Sequence, residues 1–106
     1  MDVEMRSRDV ELTRTFCTQV KRRFDLTLAR FHPYIGRVTV RLSNANGANG
    51  DMDKRCQITV DLNGLGQVIV EDTNADLDTA VSCAMHSARG AVERTVGRID
   101  WESPSN

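Results

Sequence analysis

Arg-Val-Thr-Val-Arg-Leu at residues 37–42 and Cys-Gln-Ile-Thr-Val-Asp-Leu at residues 56–62 are two segments in which apolar and polar residues alternate. This alternation predicts two strands, each with one buried face. Between them, residues 43–56 read Ser-Asn-Ala-Asn-Gly-Ala-Asn-Gly-Asp-Met-Asp-Lys-Arg-Cys, with two Asn-Gly pairs that accept positive φ at little cost. We therefore predict a long hairpin loop over residues 43–56. Composition leaves two interpretations open, a functional loop or a surface insertion that the fold tolerates.

Two further strands are predicted on either side of this hairpin. Residues 2–8 alternate between apolar and polar side chains, and residues 67–71 are rich in β-branched residues. Asn63-Gly64 together with Gly66 predicts a tight turn before the second of these strands. Its run Val68-Ile69-Val70 indicates either burial on more than one face or simply strong strand propensity.

Apolar residues at helical spacing predict two helices. The first begins near residues 9–13 and ends before Pro33, with an apolar stripe on one side and basic residues on the other. The second extends from Leu77 to Ile99, and the acids and Asn of residues 72–76 supply capping side chains at its start.

The predicted order is strand, helix, three strands, helix. Packing of both helices on the apolar side of one four-stranded sheet gives a two-layer α+β domain whose other sheet face is polar and partly open. The connection through the first helix is long enough for a parallel crossover. A chain of 106 residues accommodates one such domain, which we place at residues 1–98, followed by a short polar tail at residues 99–106.

The charges are distributed unevenly along the chain. The formal net charge of −1 by itself disfavours a nucleic-acid partner, but residues 1–55 carry 11 Lys and Arg against 7 Asp and Glu, and residues 56–106 carry 3 against 8. Between Arg14 and Arg41, seven basic residues accompany a single acid, Asp25. A local basic surface attracts phosphate even in a slightly acidic protein. The alternative is a solvated helix face that keeps the protein soluble.

The cysteines and the lack of apolar segments predict a cytoplasmic protein. No apolar run approaches the roughly 20 residues needed to span a bilayer, and residues 1–4 have no feature of a secretory signal. Cys17, Cys56 and Cys83 are an odd number at wide spacing and occupy apolar-periodic positions, so we expect small buried hydrophobic side chains in a reducing compartment.

No motif predicts catalysis or metal binding. Cys83 and His86 are three residues apart, but without a second such pair this spacing is a weak signal of zinc. His32 precedes a proline in a turn, and no motif places a nucleophile or a carboxylate pair near it. Asp51 and Asp53 are more typical of solvation than of a cation site. We predict that the protein is not an enzyme and uses neither a cofactor nor a metal.

Three segments carry motifs that match a known family in the same order. They are Val3–Leu12, continued by Val-Glu-Leu-Thr at 10–13; Arg-Leu-Ser at 41–43 with Asn46-Gly47, Gly50 and Asp-Lys-Arg-Cys at 53–56; and Val68–Leu77, with Glu-Asp-Thr at 71–73 and Ala-Asp-Leu at 75–77. The chain therefore resembles the ribosome hibernation-promoting factors, also called ribosome-associated inhibitors. The resemblance covers roughly residues 1–98.

The resemblance implies a fold similar to a double-stranded-RNA-binding domain with an extra leading strand. Members of the family bind the small ribosomal subunit and its rRNA in the channel normally held by messenger and transfer RNA, and so inhibit translation during stress or stationary phase. Carried over by position, the RNA-binding residues are Arg14, Lys21, Arg22, Arg30, Lys54, Arg55, Arg89, Arg94 and Arg98.

The resemblance is to the short members of the family, which lack a carboxy-terminal dimerisation domain. We therefore expect a monomer, and any pairing of ribosomes would depend on a separate ribosome-dimerising factor.

The sequence departs from the family pattern at several positions. The second helix has no basic residue before Arg89, Asp78 stands where the family often has an aromatic residue, and Asn49 stands where a basic residue is common. An alternative is therefore a divergent member that acts as a protein-interaction module through its open sheet face or its acidic second half, without ribosome binding. A third is a free-standing binder of structured RNA.

Overall fold

The computed structural model describes residues 1–46 and 52–102. Its elements, in chain order, are β1 (Asp2–Arg8), α1 (Arg14–Thr27), a 3₁₀ helix (Ala29–Tyr34), β2 (Ile35–Asn46), β3 (Met52–Leu62), β4 (Gly66–Asn74) and α2 (Leu77–Glu102). The strands form one four-stranded sheet in the order β1-β2-β3-β4, with β1 parallel to β2 and the other neighbours antiparallel. The predicted α+β fold, with a parallel crossover through α1, is confirmed.

The core lies between one face of the sheet and the two helices. Alternate residues of β2 and β3 point into it, as the sequence predicted, and they meet Phe24 of α1 and Val81 of α2, both of which have no exposed surface. Alanines at 80, 84 and 88 line the same side of α2 and are fully buried. Their small side chains let α2 lie close to the sheet. Burial of a side chain such as Phe24 stabilises the fold by about 1.5–3 kcal/mol.

The hairpin between β2 and β3 is paired much further than the sequence predicted. The two strands remain in register as far as Asn46 opposite Met52, so residues 43–46 and 52–56 are strand and not loop. The prediction of a loop was wrong there because the backbone N–H and C=O groups of polar residues can also form the hydrogen bonds of a strand ladder. A side-chain hydrogen bond accompanies this pairing. Lys54 Nζ donates to Asn44 Oδ1 across the two strands at 2.7 Å. The remainder of the predicted loop, including Asn49 and Asp51, lies outside the described residues.

The first helix starts as predicted but ends earlier. Thr13 caps α1 by accepting a hydrogen bond from the Phe16 N–H at 3.1 Å. We expected the helix to continue almost to Pro33, but α1 ends at Thr27 and a 3₁₀ helix containing Pro33 follows. The tighter i→i+3 pattern avoids the clash that proline makes with the carbonyl four residues earlier in an α-helix. It also keeps Phe31 buried at the end of the core.

The β3–β4 turn and the start of α2 follow the sequence prediction. Gly64 and Gly66 have φ of 75° and 87°, which only glycine adopts at low cost. Asp76 accepts a hydrogen bond from the Thr79 N–H at 2.9 Å and so caps α2. Only Val68 of the run at 68–70 is buried, whereas Ile69 is 60% exposed, which favours strand propensity over burial on both faces.

The three cysteines differ in burial. Cys56 is buried, and desolvation together with the nearby Asp72 raises the pKa of its thiol to about 12, so the thiol stays neutral. Cys17 is half-buried and Cys83 is exposed. The prediction of burial is therefore wrong for Cys83, which lies outside the stripe of α2 that faces the sheet.

The second helix extends to Glu102, so residues 99–102 of the predicted tail are helical. The division into a domain at residues 1–98 and a tail at residues 99–106 stays a prediction. Among the described residues, no helix is both long enough and apolar enough to cross a membrane.

Candidate nucleic-acid interface

A polar bridge joins α1 and α2 on the side of the sheet that carries the helices. Arg23 Nη1 lies 3.0 Å from Asp78 Oδ1, and Arg23 Nη2 donates to Ser82 Oγ at 2.5 Å. Both charged side chains are partly exposed, so the pair contributes at most about 1 kcal/mol to stability. It pairs the Arg23 charge with an acid of α2.

The predicted basic residues of α1 lie away from this bridge. Arg14 and Lys21 are seven residues apart, which places them within about 20° of each other around the helix. They occupy the flank opposite Arg23, where Lys21 borders a shallow depression beside β1. Arg22 points outward between the two flanks. All three side chains are exposed, and among the described residues none of them forms an ion pair.

Arg30 lies apart from these three residues, in the 3₁₀ helix. Its guanidinium stacks over the ring of Phe31, with 5.8 Å between the guanidinium carbon and the ring centroid. Stacking of this kind orders an arginine without consuming its hydrogen-bond donors. Arg30 is therefore presented to solvent in a restricted conformation.

The predicted basic residues of α2 lie on its exposed surface. Arg89 lines a groove between the helices together with Arg23 and His86. Arg94 and Arg98 are one turn apart, and Arg94 folds back along the helix over Gly90. A Cβ at position 90 would lie 3.2 Å from Arg94 Nη1, so glycine makes room for this guanidinium.

The two basic residues of β3 point to opposite faces of the sheet, because successive side chains of a strand alternate. Lys54 pairs with Asn44 on the helix side of the hairpin. Arg55 lies on the open side, where its Nε is 3.5 Å from Glu71 Oε1. The structure therefore does not bring all nine predicted residues onto one surface.

Comparison with known proteins shows the family of this chain. The sequence model of the Sigma 54 modulation protein / S30EA ribosomal protein family matches residues 3–100. The chain belongs to this family. The resemblance inferred from the sequence motifs is thereby confirmed.

Two solved structures are similar to this member of the S30EA family. One is the N-terminal domain of Thermus thermophilus Protein Y, with 30% sequence identity, a TM-score of 0.67 and coverage of 89% of this chain and 98% of that chain. The other is a ribosomal subunit interface protein from Coxiella burnetii, with 14% identity, a TM-score of 0.74 and coverage of 92% and 99%. No curated protein sequence matches the chain.

Membership of the S30EA family indicates a ribosome-associated protein. Proteins of this family bind ribosomes and are not enzymes, which agrees with the class predicted from the sequence. Among the described residues, no group of three His, Cys, Asp or Glu side chains is placed to hold a metal ion.

A second basic surface, which the sequence prediction did not single out, lies on the open face of the sheet. It is an open groove of ≈ 320 Å³, hereafter the open-face groove. Its lining comprises Arg6, Ser7, Arg8, Arg41, Leu42, Ser43, Arg55, Gln57 and Glu71. The alternation in the sequence indicated to which face of the sheet each arginine points. The strand register brings the arginines side by side, and this register could not be read from the sequence.

Proposed function

We propose that this chain binds the small ribosomal subunit near the decoding channel and inhibits translation during stress or stationary phase. Family membership carries the proposal, because it already indicates ribosome association. The exposed cations of α1 supply a means of contact with rRNA. The ribosome lies in the cytosol, and we place the protein there.

Binding would depend on phosphate recognition by cations on rigid helices. Helical side chains neutralise phosphates in a fixed geometry and release counterions from the RNA. Arg14, Lys21 and Arg22 form the centre of the proposed surface, and Arg89, Arg94 and Arg98 of α2 extend it. Lys54 adds a contact from the hairpin, and Arg30 adds one from the 3₁₀ helix. No cofactor is required, because occupying the channel excludes messenger and transfer RNA.

The number of phosphate contacts has a measurable consequence, because the loss of affinity with added salt grows with that number. A protein that makes about six phosphate contacts loses on the order of a thousandfold in affinity between 50 and 200 mM salt.

We expect this chain to bind as a monomer and to leave any pairing of ribosomes to a separate dimerising factor.

Sedimentation with purified small subunits tests the proposal. We expect the wild-type protein to migrate with the small subunit at about 150 mM salt, the near-physiological condition. The triple variant Arg14→Glu, Lys21→Glu, Arg22→Glu should remain at the top of the gradient. As a control, the exposed Ile69 of β4 is changed to Glu, since it faces away from the helices and β4 is the edge strand furthest from β1. Absence of wild-type binding even at low salt would contradict the proposal.

The alternative is a protein-interaction module, which would use a different set of residues. Ile69 is 60% exposed on the open face of the sheet, and the exposed acids Asp76 and Asp78 lie at the start of α2. If changing Asp76 and Asp78 to Lys abolishes activity while the triple variant of α1 retains it, the protein partner is favoured. The reverse result favours RNA.

A further inference from the structure

The open-face groove combines arginines from segments that are distant in sequence. The parallel register of β1 and β2 places Arg6 beside Arg41 and Arg8 beside Ser43. The antiparallel register of β2 and β3 places Arg55 on the other side of Ser43. Neighbouring strands are about 4.8 Å apart, so cations from three strands form a row roughly 10 Å long. We infer that the open-face groove binds the phosphate backbone of RNA.

The electrostatics of the groove leave donors available for a ligand. Arg6 pairs with Glu4 at 2.9 Å and Arg55 with Glu71 at 3.5 Å, but all four side chains are well exposed. Exposed pairs of this kind contribute about 0–1 kcal/mol, so a phosphate can replace the carboxylate at little cost.

Two arginines of the groove have no such partner among the residues that the structure describes. Within the part of the chain that the structure describes, the Arg8 and Arg41 side chains form no ion pair and no hydrogen bond. An unpaired guanidinium presents a planar fork of donors that matches two phosphate oxygens. Arg8 and Arg41 are therefore the residues on which the groove's affinity for phosphate depends most.

The dimensions of the groove favour a polymer over a single anion. The cations lie on three strands spaced about 4.8 Å apart, so their row is roughly 10 Å long. A row of this length can contact more than one phosphate group. The groove is open to solvent, so a ligand longer than this row of cations can extend beyond it.

The side chains of the groove favour the backbone of RNA over its bases. None of the lining residues is aromatic, so the bases have no platform on which to stack. The Ser43 hydroxyl and the Gln57 amide are suited to a ribose 2′-hydroxyl, which accepts and donates hydrogen bonds. Recognition would therefore depend on charge and shape and tolerate different sequences.

This inference goes beyond the proposed function, because it requires RNA but not a ribosome. The helices and the open-face groove lie on opposite faces of one sheet. A domain with cations on both faces can lie between two RNA segments and contact both. Binding of one RNA segment by the groove would then be independent of contacts made by α1.

Nuclear magnetic resonance of the full chain labelled with ¹⁵N tests the inference directly. A short blunt-ended RNA duplex is added at low salt, and the Nε–Hε signals of the arginine side chains are followed. We expect the signals of Arg8 and Arg41 to shift. The signal of Arg37 should stay in place, because Arg37 lies on the same strand and face as Arg41 but outside the groove.

Matched variants measure how much the groove contributes. We expect Arg41→Glu to lower the affinity for the duplex by about fivefold to tenfold, and to reduce the slope of log affinity against log salt by about 1. Arg37→Glu, with the same change in charge, should alter affinity less than about twofold. Equal effects of the two variants would overturn the inference, because they would show a general charge effect.

Two further outcomes also decide the question. If the duplex leaves the Arg8 and Arg41 signals unchanged at low salt, the inference is wrong. If poly-glutamate shifts those signals and the duplex does not, the groove binds an acidic protein segment instead of RNA. Failure of the proposed function looks different: the wild-type protein would not sediment with small subunits, while the duplex would still shift the groove signals.

Discussion

The two faces of the sheet carry their positive charge in different ways. On the helix face the cations are numerous but dispersed over two helices. Each face also has arginines paired with acids, Arg23 with Asp78 on the helix face and Arg6 with Glu4 on the open face. On the open face only a few arginines are present, but strand pairing brings Arg6 and Arg41 next to each other. The comparison indicates that the number of charges along a segment does not by itself determine the affinity of a surface for an anionic ligand. Their spacing, and the acids that face them, decide how many remain available to a ligand.

The largest expected effect comes from breaking the core that supports both faces. Phe24 is fully buried between α1 and the sheet. We expect Phe24→Ala to lower the free energy of unfolding by about 3–5 kcal/mol, measured by urea denaturation, because it leaves a cavity. Ile69→Ala on the open face should cost less than about 0.5 kcal/mol, since Ile69 is mostly exposed. Similar losses for the two variants would contradict the assignment of the core.

A smaller effect is expected from removing the acid that pairs with Arg23 on the helix face. Asp78→Asn removes the acid that holds Arg23 and takes one negative charge from the helix face. We expect the affinity for the small subunit to rise about twofold to fivefold at low salt, because screening is weak there. The measurement is a binding titration with fluorescently labelled protein.

The same substitution separates the two faces. Asp78→Asn should leave the duplex-induced shifts of the Arg8 and Arg41 signals unchanged, because those residues lie on the opposite face. A fall in affinity for the small subunit would show that the Arg23–Asp78 bridge positions α2 for binding.

The smallest effect concerns the start of α2 and its dependence on pH. Hydrogen bonds from the Thr79 hydroxyl and then from its backbone N–H lower the pKa of Asp76 below its ordinary value. The resulting stabilisation is present above the ordinary pKa of about 3.9, and it is lost as the pH falls through the lowered pKa.

Two substitutions at Asp76 distinguish its charge from its hydrogen bond. Asp76→Asn keeps a capping oxygen but cannot titrate, so we expect it to reduce the loss of Tm in acid slightly. Asp76→Ala removes the cap and should lower Tm slightly at neutral pH. A Tm profile in acid that is identical for wild type and Asp76→Asn would contradict the role of the carboxylate.

Much of the fold was predictable because local patterns agree with the tertiary structure. The alternation in residues 37–42 and 56–62 gave the central strands and their buried faces. The capping residues of the structure, Thr13 and Asp76, lie within the ranges 9–13 and 72–76 where the sequence predicted the helices to start. Where the prediction failed, as at residues 43–46 and after Thr27, the structure depends on a paired strand or on the packing of Phe31, neither of which local periodicity reports.

The candidate surfaces were less predictable than the fold. The cations of α1 are visible in one segment, because helical spacing alone relates Arg14 to Lys21. The open-face groove joins residues of β1, β2 and β3, and only the register brings Arg8 beside Ser43. Alternation specifies a face of the sheet, but it does not specify which residues are neighbours across strands.

Binding of the protein to small subunits in two states tests the central claim most directly. Affinity is measured with empty subunits and with subunits that already hold messenger and transfer RNA, for the wild type and for the Arg14→Glu, Lys21→Glu, Arg22→Glu variant. The account predicts that the wild type binds empty subunits, that bound messenger and transfer RNA exclude it, and that the variant binds neither. Equal binding of the wild type to both states, or wild-type affinity in the variant, would contradict it.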